Sequence, residues 1–127
     1  MSITYLSLEE ILRLHFQLIE DFGGSHGVRD EGRLTSVIEA PKLEAFGVEQ
    51  YSTIHEKAAV YLRNITGDDP FTDGNKHTAV TVCGIFLRRN NKRLTASPNE
   101  LEDLALKVAN EHLEIAEIAE WLENHTA

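Results

Sequence analysis

The chain has little that could cross-link it, insert it into a membrane or draw it onto a polyanion. Among 127 residues there is one cysteine, Cys83. A single thiol excludes an internal disulfide framework and a cysteine-built zinc site, and it fits a reducing compartment. No apolar run approaches the roughly 20 residues of a membrane-spanning helix. The N-terminal MSITYLSLEEIL lacks a basic stretch followed by an apolar one, so no secretory signal is expected and the expected location is cytoplasmic. Basic residues are scarce: 12 Lys and Arg against 21 Asp and Glu give a formal net charge of −9. That balance opposes binding to nucleic acid or to an anionic membrane by bulk electrostatics. Period-two alternation, the mark of half-buried strands, is nearly missing. Neither the G-x-x-x-x-G-K-[ST] phosphate loop nor the G-x-G-x-x-G dinucleotide fingerprint occurs.

What is present is a globular composition, 42% hydrophobic and 26% charged, which argues against disorder. The length predicts one domain over residues 1–127 with a core of its own. Helical signals dominate. Ser7–Leu8–Glu9–Glu10 is a capping box. Leu8, Ile11, Leu12, His15, Leu18, Ile19 and Phe22 follow it at a 3.6-residue period, predicting a helix that buries this stripe and ends at Gly23–Gly24. A glycine-rich loop follows to Gly32, and a short helix is expected from about Asp30 to Glu39 around Leu34, Val37 and Ile38. Pro41 to Ser52 reads as an irregular loop or a short hairpin. Thr53–Ile54–His55–Glu56 is a second capping box and opens a helix through Ala58, Ala59, Leu62 and Ile65. Gly67 to Asn75 reads as a polar turn. An apolar helix is expected from Lys76 to Arg89, carrying Ala79, Val82, Cys83, Phe86 and Leu87. Ser97–Pro98–Asn99–Glu100 is a third capping box with proline at the first helical position. A last amphipathic helix spans Glu114 to Asn124, where Trp121 is expected to seal the bundle. The expected fold class is all-α, a compact bundle of about six helices.

The segment that carries chemistry is Asp69–Pro70–Phe71–Thr72–Asp73–Gly74–Asn75–Lys76–His77–Thr78. A glycine-containing loop that feeds a helix N-terminus presents unpaired amides and the positive end of the helix dipole, which together attract an anion. Lys76 adds a positive charge and His77 a further donor. Asp73 offers a hard oxygen for Mg²⁺ bridging to phosphate. Asp69 places a second carboxylate on the far side of Phe71, which is expected to anchor the loop in the core. Asp-Gly-Asn before a helix is also ordinary turn and cap chemistry. Residue types alone leave both readings open.

The stretch resembles the signature of the Fic/Doc family, His-x-Phe-x-Asp/Glu-Gly/Ala-Asn-Lys/Gly-Arg. The likeness continues through Thr78–Ala79–Val80 and Ile85–Phe86–Leu87–Arg88–Arg89–Asn90, and upstream through Gly23–Gly24, Gly27, Arg29–Asp30, Gly32, Leu34, Ile38 and Pro41. Lysine at 76, where the adenylylating members carry glycine, and the short chain both point to the Doc-like branch. The resemblance implies a fold of about six helices and a toxin of a type II toxin–antitoxin pair. Such a toxin transfers the γ-phosphate of ATP to a threonine of elongation factor Tu and stops translation. It also implies a Phd-like antitoxin whose disordered tail folds onto the toxin. On this likeness Asp73 would hold Mg²⁺, and Gly74, Asn75, Lys76 and His77 would hold ATP. Asp69, Asp73 and Asn75 would be the catalytic residues.

Two positions depart from the pattern. The family's leading histidine, the general base, is Asp69 here, and its final arginine is His77. Aspartate can act as a base on a hydroxyl, as in protein kinases. It has a shorter reach, and a carboxylate has an ordinary pKa of about 3.9 against 6.5 for imidazole. Histidine replaces a permanent planar fork with at most one charged donor. Impaired or absent phosphotransfer is therefore expected. The alternatives are a non-catalytic, antitoxin-binding regulatory protein and a Fic-type adenylyltransferase. Elsewhere, the acidic residues from Glu100 to Glu123 read as a solvated face, and Cys83 reads as core.

Overall fold

The computed structural model describes residues 2–127. Its helices are α1 (Leu8–Phe22), α2 (Glu31–Glu39), α3 (Ile54–Asp68), α4 (Asn75–Arg89), α5 (Pro98–Glu111) and α6 (Ile115–Asn124). Between α2 and α3 lie a 3₁₀ turn, Ala40–Lys42, and a hairpin of two short strands, β1 (Glu44–Ala45) and β2 (Val48–Glu49). The strands pair antiparallel, Glu44 with Glu49 and Ala45 with Val48. The all-α expectation holds, with the ambiguous 41–52 stretch resolved as this small hairpin.

Local chemistry starts the helices. At Ser7, Thr53 and Ser97 the hydroxyl accepts the N–H three residues on, while the glutamate there reaches back to the cap's own amide. At the start of α6 half of such a box forms: Glu117 Oε1 accepts the Glu114 N–H at 3.1 Å. Helix α3 runs one residue beyond Gly67, because its C-terminal carbonyls find partners elsewhere in the chain.

Helix α3 is the hub of the packing, lying against α2, α4, α5 and α6. Ala58, Ala59, Tyr61, Leu62 and Ile65 are almost wholly buried on it, facing Phe86, Leu87, Ile118 and Leu122 among others. Each large apolar side chain so buried contributes about 1.5–3 kcal/mol from area alone. Cys83 is buried in the same core, where loss of hydration pushes its thiol up to about 12 and leaves it unreactive. Trp121 is only partly buried; it lines the core edge and stacks on His125 with ring centroids 3.8 Å apart.

The α1 stripe is narrower than its periodicity implies. Ile11, His15 and Ile19 are buried, whereas Leu8 and Phe22, at the helix ends, are 41% and 70% exposed. These residues lie at the ends of the helix, where cover is partial: Phe22 has the His77 ring beside it, 4.5 Å away. Among the described residues no helix is long and apolar enough to cross a membrane.

One ion pair ties the first helix to the fourth. Glu10 and Arg89 meet in a charge-assisted hydrogen bond. That contact, with the Ser7 amide, holds the Glu10 carboxyl down at about 2, against an ordinary 4.5. A depressed carboxylate stabilises the fold above its unfolded pKa and loses that contribution as pH falls through its folded one. Unfolding midpoints measured across this range should therefore fall between about pH 4.5 and pH 2. Arg89→Ala should flatten that portion of the profile, and an unchanged profile would show that the exposed pair contributes nothing.

Candidate functional site

The Asp69–Gly74 loop joins the C-terminus of α3 to the N-terminus of α4. Phe71 anchors it as expected, with no exposed surface. Its N–H donates to Asn75 Oδ1 at 3.0 Å, and its carbonyl accepts from Asn75 Nδ2 at 2.9 Å. Asn75 is thus a loop-closing residue; its amide is spent on Phe71 rather than turned toward an anion.

A second segment clamps the loop from outside. The carbonyl of Pro70 accepts the amides of Arg29 and Asp30, and Thr72 N–H donates to Gly27 O. Val28 and Phe71 form an isolated antiparallel bridge. The glycine-rich stretch after α1 is therefore the loop's partner strand. Gly24, at φ 114°, passes so close that an added Cβ would lie 3.3 Å from Asp73 Cβ. Ser25 N–H then donates to Asp73 Oδ2 at 2.8 Å.

His15 completes the clamp. It is 4% exposed, lies parallel to the Phe71 ring with centroids 3.8 Å apart, and its Nε2–H donates to the Asp73 carbonyl at 2.8 Å. Burial pushes its pKa down, which favours the neutral ring. His15 was read only as one member of an apolar stripe. The available signal was a histidine inside such a stripe, which needs a buried partner. His15→Ala should cost about 1–3 kcal/mol in urea unfolding, since it leaves the Asp73 carbonyl unpaired and Phe71 unstacked. A loss under a few tenths would remove His15 from the clamp.

Asp69 is the C-cap of α3, in the left-handed region at φ 45°, ψ 59°. Asp, Asn and His are the side chains that best tolerate that region. Its carbonyl accepts Arg29 Nε–H at 2.9 Å, and the Asp68 carbonyl accepts Arg33 at 3.0 Å. These guanidinium groups meet the negative end of the α3 dipole.

Helix α4 begins at Gly74, φ 76°, ψ 20°, which serves as N-cap without a side chain. A Cβ there would meet Ile19 Cδ1 at 3.1 Å. The first-turn amides thus have no side-chain cap and face a cavity of about 600 Å³ bordered by Arg29, Asp69, Asp73, Lys76 and His77. An anion there would meet open amides, a dipole's positive end and two cationic side chains. His77 is exposed on the first turn of α4, and its ring sits 4.5 Å from that of Phe22.

Among the described residues no group of three or more His, Cys, Asp or Glu is placed to hold an ion. Asp73 Oδ2 is already bonded to Ser25, so this carboxylate alone fits Mg²⁺ only if water and substrate oxygens complete the shell, which is the common Mg²⁺ arrangement.

A second, apolar groove of about 710 Å³ starts at the same Lys76 and His77 and runs between α4 and α5 past Val80, Ile85, Leu94, Leu101 and Leu106.

Comparison with known proteins places the sequence among relatives. A family model described as "Fic/DOC family" matches residues 5–87. The chain is 32% identical over 120 residues to "Protein kinase doc" of Escherichia phage P1, covering 94% of each chain. It is 33% identical over 108 residues to "Toxin Doc" of Mycolicibacterium smegmatis, covering 84% of this chain and 83% of that one. With the loop, its clamp, α3 and all but the last two residues of α4 inside the matched span, the chain belongs to the Fic/Doc family.

Proposed function

We propose that this protein is a Doc-like toxin of a toxin–antitoxin pair, built as an ATP-dependent protein phosphotransferase whose catalysis is impaired. The observation that carries the reading is one cavity holding the uncapped α4 N-terminus, Lys76, Arg29 and the Asp73 carboxylate. The relatives named as a kinase and a toxin support it. The α4 amides and Lys76 hold the phosphates of ATP, and Asp73 Oδ1 takes part in holding Mg²⁺, which neutralises phosphate charge when bound. Asp69 stands where a base would receive the proton of the acceptor hydroxyl, a threonine of elongation factor Tu. The repulsion between the Asp69 carboxylate and bound phosphate, with its weak basicity, slows that step.

The apolar groove between α4 and α5 supports the partner half of the reading. An amphipathic helix formed by the tail of a Phd-like antitoxin would cover its leucines and reach Lys76 and His77 at its end. This same groove favours a second reading, in which the chain is a non-catalytic antitoxin-binding regulator.

The test incubates the protein with Mg²⁺, elongation factor Tu and ATP labelled at either the γ- or the α-phosphate. Transfer of γ-label that disappears in Asp73→Ala supports the phosphotransferase. Transfer of α-label instead would make it an adenylyltransferase. No transfer of either label, even in Asp69→His/His77→Arg, would leave the antitoxin-binding regulator.

A further inference from the structure

We propose that Phe22 and His77 form the stacking platform for the base of the nucleotide whose phosphates sit at the α4 N-terminus. The inference rests on the nucleotide-binding reading above and adds to it the side chains that recognise the base.

Phe22 is the last residue of α1 and is 70% exposed, a place where a phenyl ring has little protein cover. Its ring lies 4.5 Å from that of His77, inclined at 56°. His77 borders both the polar phosphate cavity and the apolar groove. His77 therefore stands at the border of the cavity, with Phe22 beside it. A ligand with a flat apolar face beside its charged groups fits this junction.

The position of Phe22 relative to the loop is set by the chain itself. Gly23 and Gly24 follow it directly, Gly24 lies against Asp73, and Ser25 N–H is bonded to the Asp73 carboxylate. Phe22 is thus held to the element that faces the phosphates. Base–aromatic stacking needs only a π-face and tolerates any base, and a purine offers the larger face.

This placement also gives a reason for His77. An arginine there would fork onto phosphate. A histidine gives up that fork but keeps an aromatic face toward Phe22 and ring nitrogens for a ribose hydroxyl or a base edge. The platform recovers through stacking some of the affinity that the missing guanidinium forgoes.

The experiment compares calorimetric binding of Mg²⁺-ATP and Mg²⁺-tripolyphosphate to the unaltered protein, Phe22→Ala and Phe22→Trp. The unaltered protein should bind ATP more tightly than tripolyphosphate. Phe22→Ala should weaken ATP by on the order of tenfold and leave tripolyphosphate unchanged. Phe22→Trp should restore ATP binding. Because Phe22 is exposed, its loss should leave the urea midpoint unmoved, which separates a binding effect from unfolding. Equal binding of ATP and tripolyphosphate by the unaltered protein, or an equal change in both on Phe22→Ala, overturns the platform while leaving the phosphate site standing. Binding of neither ligand by the folded protein overturns the phosphate site, and the platform with it.

Discussion

An Asp69→His variant should transfer phosphate from ATP to its protein acceptor about 10²- to 10⁴-fold faster than the unaltered chain, the usual range for a positioned general base. The backbone already accepts the change. Asp69 sits at φ 45°, ψ 59°, a region where histidine is enriched as aspartate is. Its carbonyl, not its side chain, is the group that Arg29 holds. The side chain is exposed at the cavity border, so an imidazole displaces nothing packed. Stability should therefore stay within about 0.5 kcal/mol. On the proposed role of Asp69 as the group that receives the acceptor's proton, the gain should lie in kcat, and the KM for ATP should fall only modestly as one negative charge leaves the cavity. Initial rates with γ-labelled ATP and elongation factor Tu read this directly. A variant that binds ATP, stays folded and transfers no faster would show that position 69 is not where the acceptor's proton goes.

The second large effect is on folding. Phe71→Ala should destabilise the protein by about 3–5 kcal/mol, the range for emptying a fully buried aromatic site. Marginal stabilities of about 5–15 kcal/mol make that a large share of the total. The cost is high here because Phe71 has no exposed surface and its ring is stacked by His15. Neither neighbour can follow an alanine inward: His15 is bonded to Asp73 and Asn75 to the Phe71 backbone. Urea unfolding should show a lower midpoint at an unchanged slope. A loss below about 1 kcal/mol would mean that the loop collapses onto the vacancy and is not anchored by this ring.

Much of the fold was legible because its causes are local. The capping boxes at Ser7, Thr53 and Ser97 each need only a residue and its neighbour three positions on. The hairpin at 44–49 is not legible in the sequence because it is too short to show alternation and all its residues are exposed. The exposure of Phe22 departs from the buried stripe because periodicity says which face a residue occupies, not whether the partner surface extends that far.

The site divides along the same line. Residue order alone placed Asp69, Asp73, Gly74, Lys76 and His77 around one helix start, since they are consecutive or nearly so. The positive end of that helix follows from any α-helix with a side-chain-free cap. Tertiary structure alone decided what holds the loop and what it faces. The His15 ring meets the carbonyl of Asp73 across 58 positions of sequence, Ser25 meets its carboxylate across 48, and Arg29 meets Asp69 across 40. The physical reason is packing. Helix α1 packs directly on α4, and only then do the glycine-rich turn and the motif loop lie side by side and exchange hydrogen bonds. Asn75 shows the difference most directly: its type suits a phosphate contact, but the fold turns its amide onto Phe71.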